Sequence, residues 1–196
     1  ISVSAFLLNR SSDLEMTLVR VRKKLGISSR TTSQFATTLG IPGVNIADGP
    51  SGLRIESVPC TCFPSLINMA QTWDMGSMVR MGRAYGREME YYDIDYCLAP
   101  ALNIHRNPMR SRAYEFYSED PALSGMMGAG FIMGVKRYEG RNVILKNVAT
   151  YNQESGTTDV NICVSRQAFG EIYLRSFSAC QSVIKPAGLL NSGNKI

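Results

Sequence analysis

Three groups of polar residues in this chain have the types and order that chemistry on a small polar ligand requires. Asp48 stands with Gly49, Pro50, Gly52 and Arg54; Asn103, His105, Arg106, Arg112 and Glu115 form a second group; Lys146 and Asn147 form a third. Each follows or closes an apolar run of strand character. In parallel α/β architectures the functional residues lie at the carboxyl ends of strands and in the loops beyond them. On one rim these groups would supply a carboxylate, several cations and amides. A carboxylate accepts two hydroxyl protons while Arg and Lys donate to oxygens, so a polyhydroxylated ligand, a sugar, is the natural occupant.

Plainer roles are open to each residue. Asp48 before Gly49 and Pro50 can organise a turn, Arg54 can pair with Glu56, and Arg112 can pair with Glu115 or Glu119 across a loop. His105 is the only histidine. Alone it cannot build a metal site, and it suits shaping a loop through hydrogen bonds. Lys146 ends an apolar strand, where a lysine must find a partner or lower its pKa. Trp73 could stack on a sugar ring, but packing between helix and sheet is the simpler expectation, and Met126, Met127 and Met133 read as core filler. No GxGxxG or GxxxxGK[ST] string occurs, and no organic cofactor or metal is implied.

The elements that must position these residues alternate between strand and helix from about Gly40 onward, the pattern of parallel βα units. Gly43 to Ala47 reads as a short strand, and a second, weaker strand segment lies around Pro64 to Ala70. A helix follows from about Met75 to Tyr91, then a strand buried on both faces from Asp95 to Asn103. Asp120 is an N-cap with Pro121 at the first helical position, opening a helix to about Tyr138. Val143 to Val148 is another buried strand. Ser165 caps a helix to about Ile184, whose Phe169, Tyr173, Phe177, Cys180 and Ile184 form one apolar stripe. Gly188 to Asn191 starts a last strand. The long polar connection from His105 to Glu119 has the character of a functional loop. Upstream, Leu14 to Leu25 can be helical and Ser28 to Thr38 reads as irregular.

Composition bounds the rest. With 196 residues, 44% hydrophobic and 19% charged, the chain is of folded, globular type and long enough for one core. It has no apolar run near the roughly 20 residues of a membrane helix, and no membrane partner is expected. The net charge of +5 concentrates only at Arg20, Arg22, Lys23 and Lys24, without interleaved aromatics, so a solvated helix face is preferred over nucleic-acid binding. The five cysteines lack zinc-type spacing and read as small buried hydrophobes. Four or five βα units give a fold class of α/β, a partial (β/α)8 TIM-type barrel, since a closed one needs about 250 residues.

The strings LGIPGVNIADGPSGLRI, LAPALNIHRNP and YEFYSEDPALSG, and the run from Lys146 through Asn152, Gln153 and Glu154 to SRQAFGEIYLRSF, resemble the β-glucosidase branch of glycoside hydrolase family 3. The resemblance runs from about Leu39 to Lys195 without large gaps. It implies a (β/α)8-type barrel followed by an α/β sandwich, and removal of β-linked glucose or related sugars from non-reducing ends with retention. It also implies that Asp48 and Arg54 hold hydroxyls of the terminal sugar, with Arg112, Lys146 and Asn147 completing the subsite. The KHFPGHG-like loop of the family's N-acetylglucosaminidases is replaced by KNVATYNQE, which disfavours that subgroup.

Three departures accompany the matches: Asn147 stands where the family has histidine, Ser111 where it has glycine, and Gly193 where it has tyrosine. The family's nucleophile, an aspartate in a GFVMSDW-like strand, is expected beyond Ile196, and its acid/base glutamate later still. Retaining hydrolysis needs two carboxyl groups about 5 to 5.5 Å apart. Asp48 as nucleophile with Glu115 or Glu154 as acid fits the spacing, but the resemblance places Asp48 on hydroxyls. The expectation is therefore a single incomplete barrel domain over 1–196, part of a hydrolase acting on a β-linked glucoside or related oligosaccharide. The alternative is a degenerate chain that binds sugar or serves structure without catalysis. Open strand edges would favour self-association.

Overall fold

The computed structural model describes residues 30–31, 44–108, 110–156 and 159–194. The expected helix over Leu14 to Leu25 and the basic patch at Arg20 to Lys24 lie outside the described residues. Among the described residues five strands form one sheet in chain order, β1 (Arg30–Thr31), β2 (Asn45–Asp48), β3 (Tyr96–Leu98), β4 (Asn142–Val148) and β5 (Gly188–Asn191). β1 is antiparallel to β2, and β2 through β5 are mutually parallel. Between β2 and β3 lie α1 (Leu66–Ala70) and α2 (Met75–Tyr91), and between β3 and β4 lies α3 (Pro121–Val135). α4 (Arg166–Ala168) and α5 (Arg175–Val183) connect β4 to β5. The architecture is an α/β partial barrel, as the alternation of runs led us to expect.

The two faces of the sheet have separate tasks. Because successive strand side chains alternate, Ala47, Cys97, Val143 and Leu145 point to the helices and join the main core with Met78, Tyr85, Phe131 and Phe177. Ile46, Leu98 and Ile144 point the other way and cluster with Val44, Tyr96 and Leu190. Two residues further along β2 and β4, that second face carries Asp48 and Lys146. The period of two thus brings an acid and a lysine to the same end of the same face.

Local chemistry explains the helix ends. Asp120 accepts from the N–H groups of Ala122 and Leu123 at 2.7 and 3.3 Å, and Pro121 opens α3. Asp74 caps α2 in the same way through Gly76 and Ser77. α2 and α3 approach closely because Gly134 lacks a side chain: a Cβ there would lie 2.4 Å from the Val79 carbonyl oxygen.

Several elements differ from the sequence expectation. The segment expected as a weak strand at Pro64 to Ala70 is the helix α1, with Leu66 and Ala70 both buried at a helical spacing. The strand expected from Asp95 to Asn103 keeps regular pairing only over Tyr96–Leu98, since Pro100 has no N–H to donate; beyond it Ala101 makes isolated bridges to Phe116 and Lys146. Arg30–Thr31, in a stretch expected to be irregular, pairs with β2. The helix expected from Ser165 to Ile184 is interrupted by a π-helical turn over Phe169–Tyr173, although its stripe buries Tyr173, Phe177 and Cys180. Of the three methionines expected in the core, Met127 is buried while Met126 and Met133 are exposed. Cys97 and Cys180 are buried, but Cys62 and Cys163 are exposed.

Candidate functional site

The site begins where β2 ends. After Asp48 the chain turns back on itself, and the Arg54 N–H donates to the Asp48 carbonyl oxygen at 2.8 Å. The turn requires Gly49, whose φ is +128° and where a Cβ would fall 1.6 Å from the Gly52 carbonyl oxygen. The buried Tyr85 hydroxyl of α2 donates to the Gly49 carbonyl oxygen and ties the turn to the core. Asp48 and Arg54 are therefore held side by side by backbone pairing.

Lys146 and Asn147 come from the end of β4. Consecutive strand residues ordinarily face opposite ways, yet both line the same cleft. The register irregularity between Lys146 and Val148 reconciles this, because a bulge re-aims a side chain. Asn103 holds the irregular backbone in place. Its Nδ2 donates to the carbonyl oxygens of Asn147 at 2.7 Å and Ala149 at 2.9 Å, and its Oδ1 accepts from the Asn147 N–H at 2.8 Å. Asn103 is only 2% exposed, so Asn103→Ala leaves buried backbone groups unsatisfied and is expected to cost about 3 kcal/mol. Urea denaturation measures this; an unchanged midpoint would contradict the clamp.

The segment between β3 and α3 contributes Arg112 and Glu115. Phe116 and Tyr117 anchor it in the interior. His105 shapes it, donating from Nε2 to the Ala113 carbonyl oxygen at 2.7 Å, as expected of a loop histidine. Arg112 grips both oxygens of Glu115, from Nε at 2.9 Å and Nη2 at 2.7 Å. Its Nη1 donates to the Tyr151 hydroxyl at 3.3 Å and to Glu154 at 3.4 Å. Arg110 sits beneath, its guanidinium 4.2 Å from the Phe116 ring centre and 4.1 Å from that of Tyr151. Burial pushes Arg110 down to about 10, countered by Tyr151 and Glu154.

The charges are linked in a row. Lys146 Nζ lies 3.7 Å from Glu115 Oε2 and 3.9 Å from Asp48 Oδ1. These are ion pairs beyond hydrogen-bond length, so among the described residues the Lys146 ammonium is paired by charge and not by a hydrogen bond. Burial lowers the Lys146 pKa, and Asp48 and Glu115 oppose that shift. Both outcomes foreseen for a lysine ending an apolar strand are therefore present. For Glu115 burial acts upward, but the Arg112 hydrogen bonds and the charges of Lys146, Arg112 and Arg54 hold its carboxyl below the usual value. The Glu115 hydrogen bond raises Arg112 further and keeps it charged.

A cleft of about 440 Å³ brings together the five residues expected to bind a sugar, Asp48, Arg54, Arg112, Lys146 and Asn147, with Glu115, Tyr114 and Leu190 also in its wall. A second cleft of about 310 Å³ adjoins it, sharing Gly49, Pro50, Arg54, Tyr114 and Glu115. Hydrogen-bond capacity separates the roles. Glu115 is committed to Arg112, whereas Asp48 is approached only by Lys146 among the described residues and is free to accept from a ligand. Asn147 Nδ2 is buried and has no hydrogen-bond partner among the described residues, so it too can serve a ligand. The Asn103 clamp and the Arg110–Tyr151–Glu154 cluster were not found from sequence. Their partners lie some 40 residues apart and no local pattern marks them.

Comparison with known proteins gives one consistent picture. The model of the "Glycosyl hydrolase family 3 N terminal domain" matches residues 13–185. Thermostable beta-glucosidase B of Acetivibrio thermocellus is 36% identical over 169 residues, 81% of this chain and 22% of that protein. An exo-alpha-(1->6)-L-arabinopyranosidase of Bifidobacterium breve is 35% identical over 175 residues, 83% of this chain and 23% of that protein. Beta-glucosidase 3B from Thermotoga neapolitana, solved in complex with glucose, superposes with a TM-score of 0.80 at 38% identity, covering 85% of this chain and 24% of that one. The chain thus spans less than a quarter of the length of these relatives.

Proposed function

The chain belongs to glycosyl hydrolase family 3, whose N-terminal domain it matches, and on that premise we propose that the 440 Å³ cleft holds the non-reducing terminal sugar of a β-linked glucoside. In the complete protein this sugar is released by hydrolysis of the O-glycosidic bond with retention. The observation carrying the reading is the convergence of Asp48, Arg54, Arg112, Lys146 and Asn147 on one cleft, where the buried Asn147 amide nitrogen has no hydrogen-bond partner among the described residues. The relatives named above, a glucosidase bound to glucose among them, support it.

Roles follow from what each group has left to give. Asp48 accepts two adjacent hydroxyl protons. Lys146 donates up to three hydrogen bonds, and Asn147 donates from the amide nitrogen that has no protein partner. Arg54, exposed at the rim, closes over the ring. Arg112 has spent nearly all its donors on Glu115, Tyr151 and Glu154, so it contributes mainly charge and position.

The two catalytic carboxyl groups are proposed to come from other residues of the complete protein. A general acid needs a raised pKa, and Glu115 is shifted the other way, which argues against Glu115 as acid to an Asp48 nucleophile. The residues 1–196 are read as one incomplete barrel domain. Produced alone, this chain is expected to self-associate, because among the described residues β5 pairs only with β4 and leaves its far edge open. Light scattering checks this; a monodisperse monomer with a single sharp melt would contradict it.

The testing experiment joins intact mass of the protein from its source with proton NMR of an aryl β-glucoside during turnover. A mass several-fold that of these 196 residues with first release of the β-anomer supports the proposal. A mass matching these residues, with sugar bound but no turnover, would instead make this a non-catalytic sugar-binding chain.

A further inference from the structure

Trp73 was expected to pack between helix and sheet, but its indole is 72% exposed. It is displayed on a fixed turn. Its φ is +53°, a conformation rare for a bulky residue, and its N–H donates to the Ala70 carbonyl oxygen at 3.0 Å. The neighbours are equally restrained: the Thr72 hydroxyl donates to Met69 at 2.7 Å and accepts from the Asp74 N–H at 3.2 Å, while Asp74 caps α2. A rigid aromatic plane loses little entropy when a ligand settles on it.

Beside the indole opens a cleft of about 250 Å³ that shares no lining residue with the terminal-sugar pocket. Its polar wall is Gln71, His105, Ser118 and Glu119. Neither Gln71 nor Glu119 makes a side-chain hydrogen bond among the described residues, so an amide and a carboxylate are both free next to the ring. The segment that walls this cleft through His105, Ser118 and Glu119 also carries Arg112 and Glu115 into the pocket.

From this juxtaposition we propose that Trp73 and the adjoining cleft form a second saccharide-binding site, outside the terminal-sugar pocket, which takes a pyranose ring of an oligosaccharide. The apolar face of the ring stacks on the indole, and its hydroxyls are met by the carboxylate of Glu119, the amide of Gln71 and the hydroxyl of Ser118. A purely apolar partner would strand this free carboxylate and amide, which favours a sugar. The site stands apart from the catalytic reading and does not need it.

The test uses the complete protein, with Asp48→Asn present throughout to silence the pocket, and calorimetric titration with a β-linked glucose tetrasaccharide. Adding Trp73→Ala is expected to weaken binding about tenfold. Trp73→Phe, which keeps a ring, should recover most of it. In the otherwise unaltered protein, Trp73→Ala should leave hydrolysis of a small aryl glucoside unchanged. Equal affinity with and without the indole would overturn the proposal, as would a Phe variant no better than Ala. So would an indole shielded from acrylamide in the complete protein, which would show that polypeptide covers this face.

Discussion

Asp48→Asn is expected to lower the kcat/KM proposed for the complete protein on an aryl β-glucoside by about 10²- to 10⁴-fold, the worth of two charge-assisted hydrogen bonds at about 1.5–3 kcal/mol each. The substitution keeps the shape of the side chain and removes the charge proposed to accept two hydroxyls. Stability should barely change. Asp48 is 36% exposed, its nearest cation is 3.9 Å away, and the turn below it is held by backbone pairing that the variant retains. The two readouts together are diagnostic: steady-state kinetics falls while the melting temperature holds. A loss of activity matched by a loss of fold would mean that Asp48 organises the turn, the plainer role open to it from sequence. Unchanged kinetics would remove it from the site.

The second large effect concerns Glu115, and here stability is the quantity that moves. Its carboxylate is 2% exposed and lies between Arg112 and the buried Lys146. Glu115→Gln leaves two cations close together without their shared counter-charge, a loss of about 3–5 kcal/mol on unfolding. Lys146→Met should behave quite differently. It deletes a charge whose burial already lowers its pKa, and it leaves Glu115 gripped by Arg112. Its cost is expected within about 1.5 kcal/mol, the scale of a volume-conserving swap, while sugar binding is lost. Paired denaturation curves decide. Equal destabilisation by the two variants would contradict the charge order described for the cleft.

Glu115 also sets an acid dependence. Its carboxyl titrates lower in the folded chain than in the unfolded one, so in acid the unfolded state takes up the proton first. The stabilisation is fully present above the ordinary carboxylate value of 4.5 and is lost as pH falls through the lower, folded value. Glu115→Gln should flatten that part of the stability-against-pH curve. A variant with the acid limb of the parent would assign it to other carboxylates.

What was legible in the sequence was what local chemistry or period encodes. Met75 to Tyr91 is a helix with the expected limits, and α3 starts where Asp120 and Pro121 announce it. The position of Lys146 after an apolar run was enough to foresee that it would find a partner or lower its pKa, and both occur. Features that depend on distant partners were not legible. The five-residue α1 is too short for its periodicity to stand out from a strand. β3 loses its regular pairing after Leu98, ahead of Pro100, which has no N–H to donate. The clamp by Asn103 joins residues 44 positions apart, and the exposure of Trp73 reflects a turn whose left-handed φ no residue type there advertises.

The cleft at the carboxyl ends of β2 and β4 is proposed as the terminal-sugar pocket. A crystal structure of the complete protein soaked in glucose tests it most directly. One pyranose is expected in the cleft, with two adjacent hydroxyls within about 2.5–3.0 Å of the Asp48 carboxylate and donors from Lys146 and Asn147 on its oxygens. Glucose bound elsewhere with this cleft empty, or seated there without touching Asp48, would contradict it.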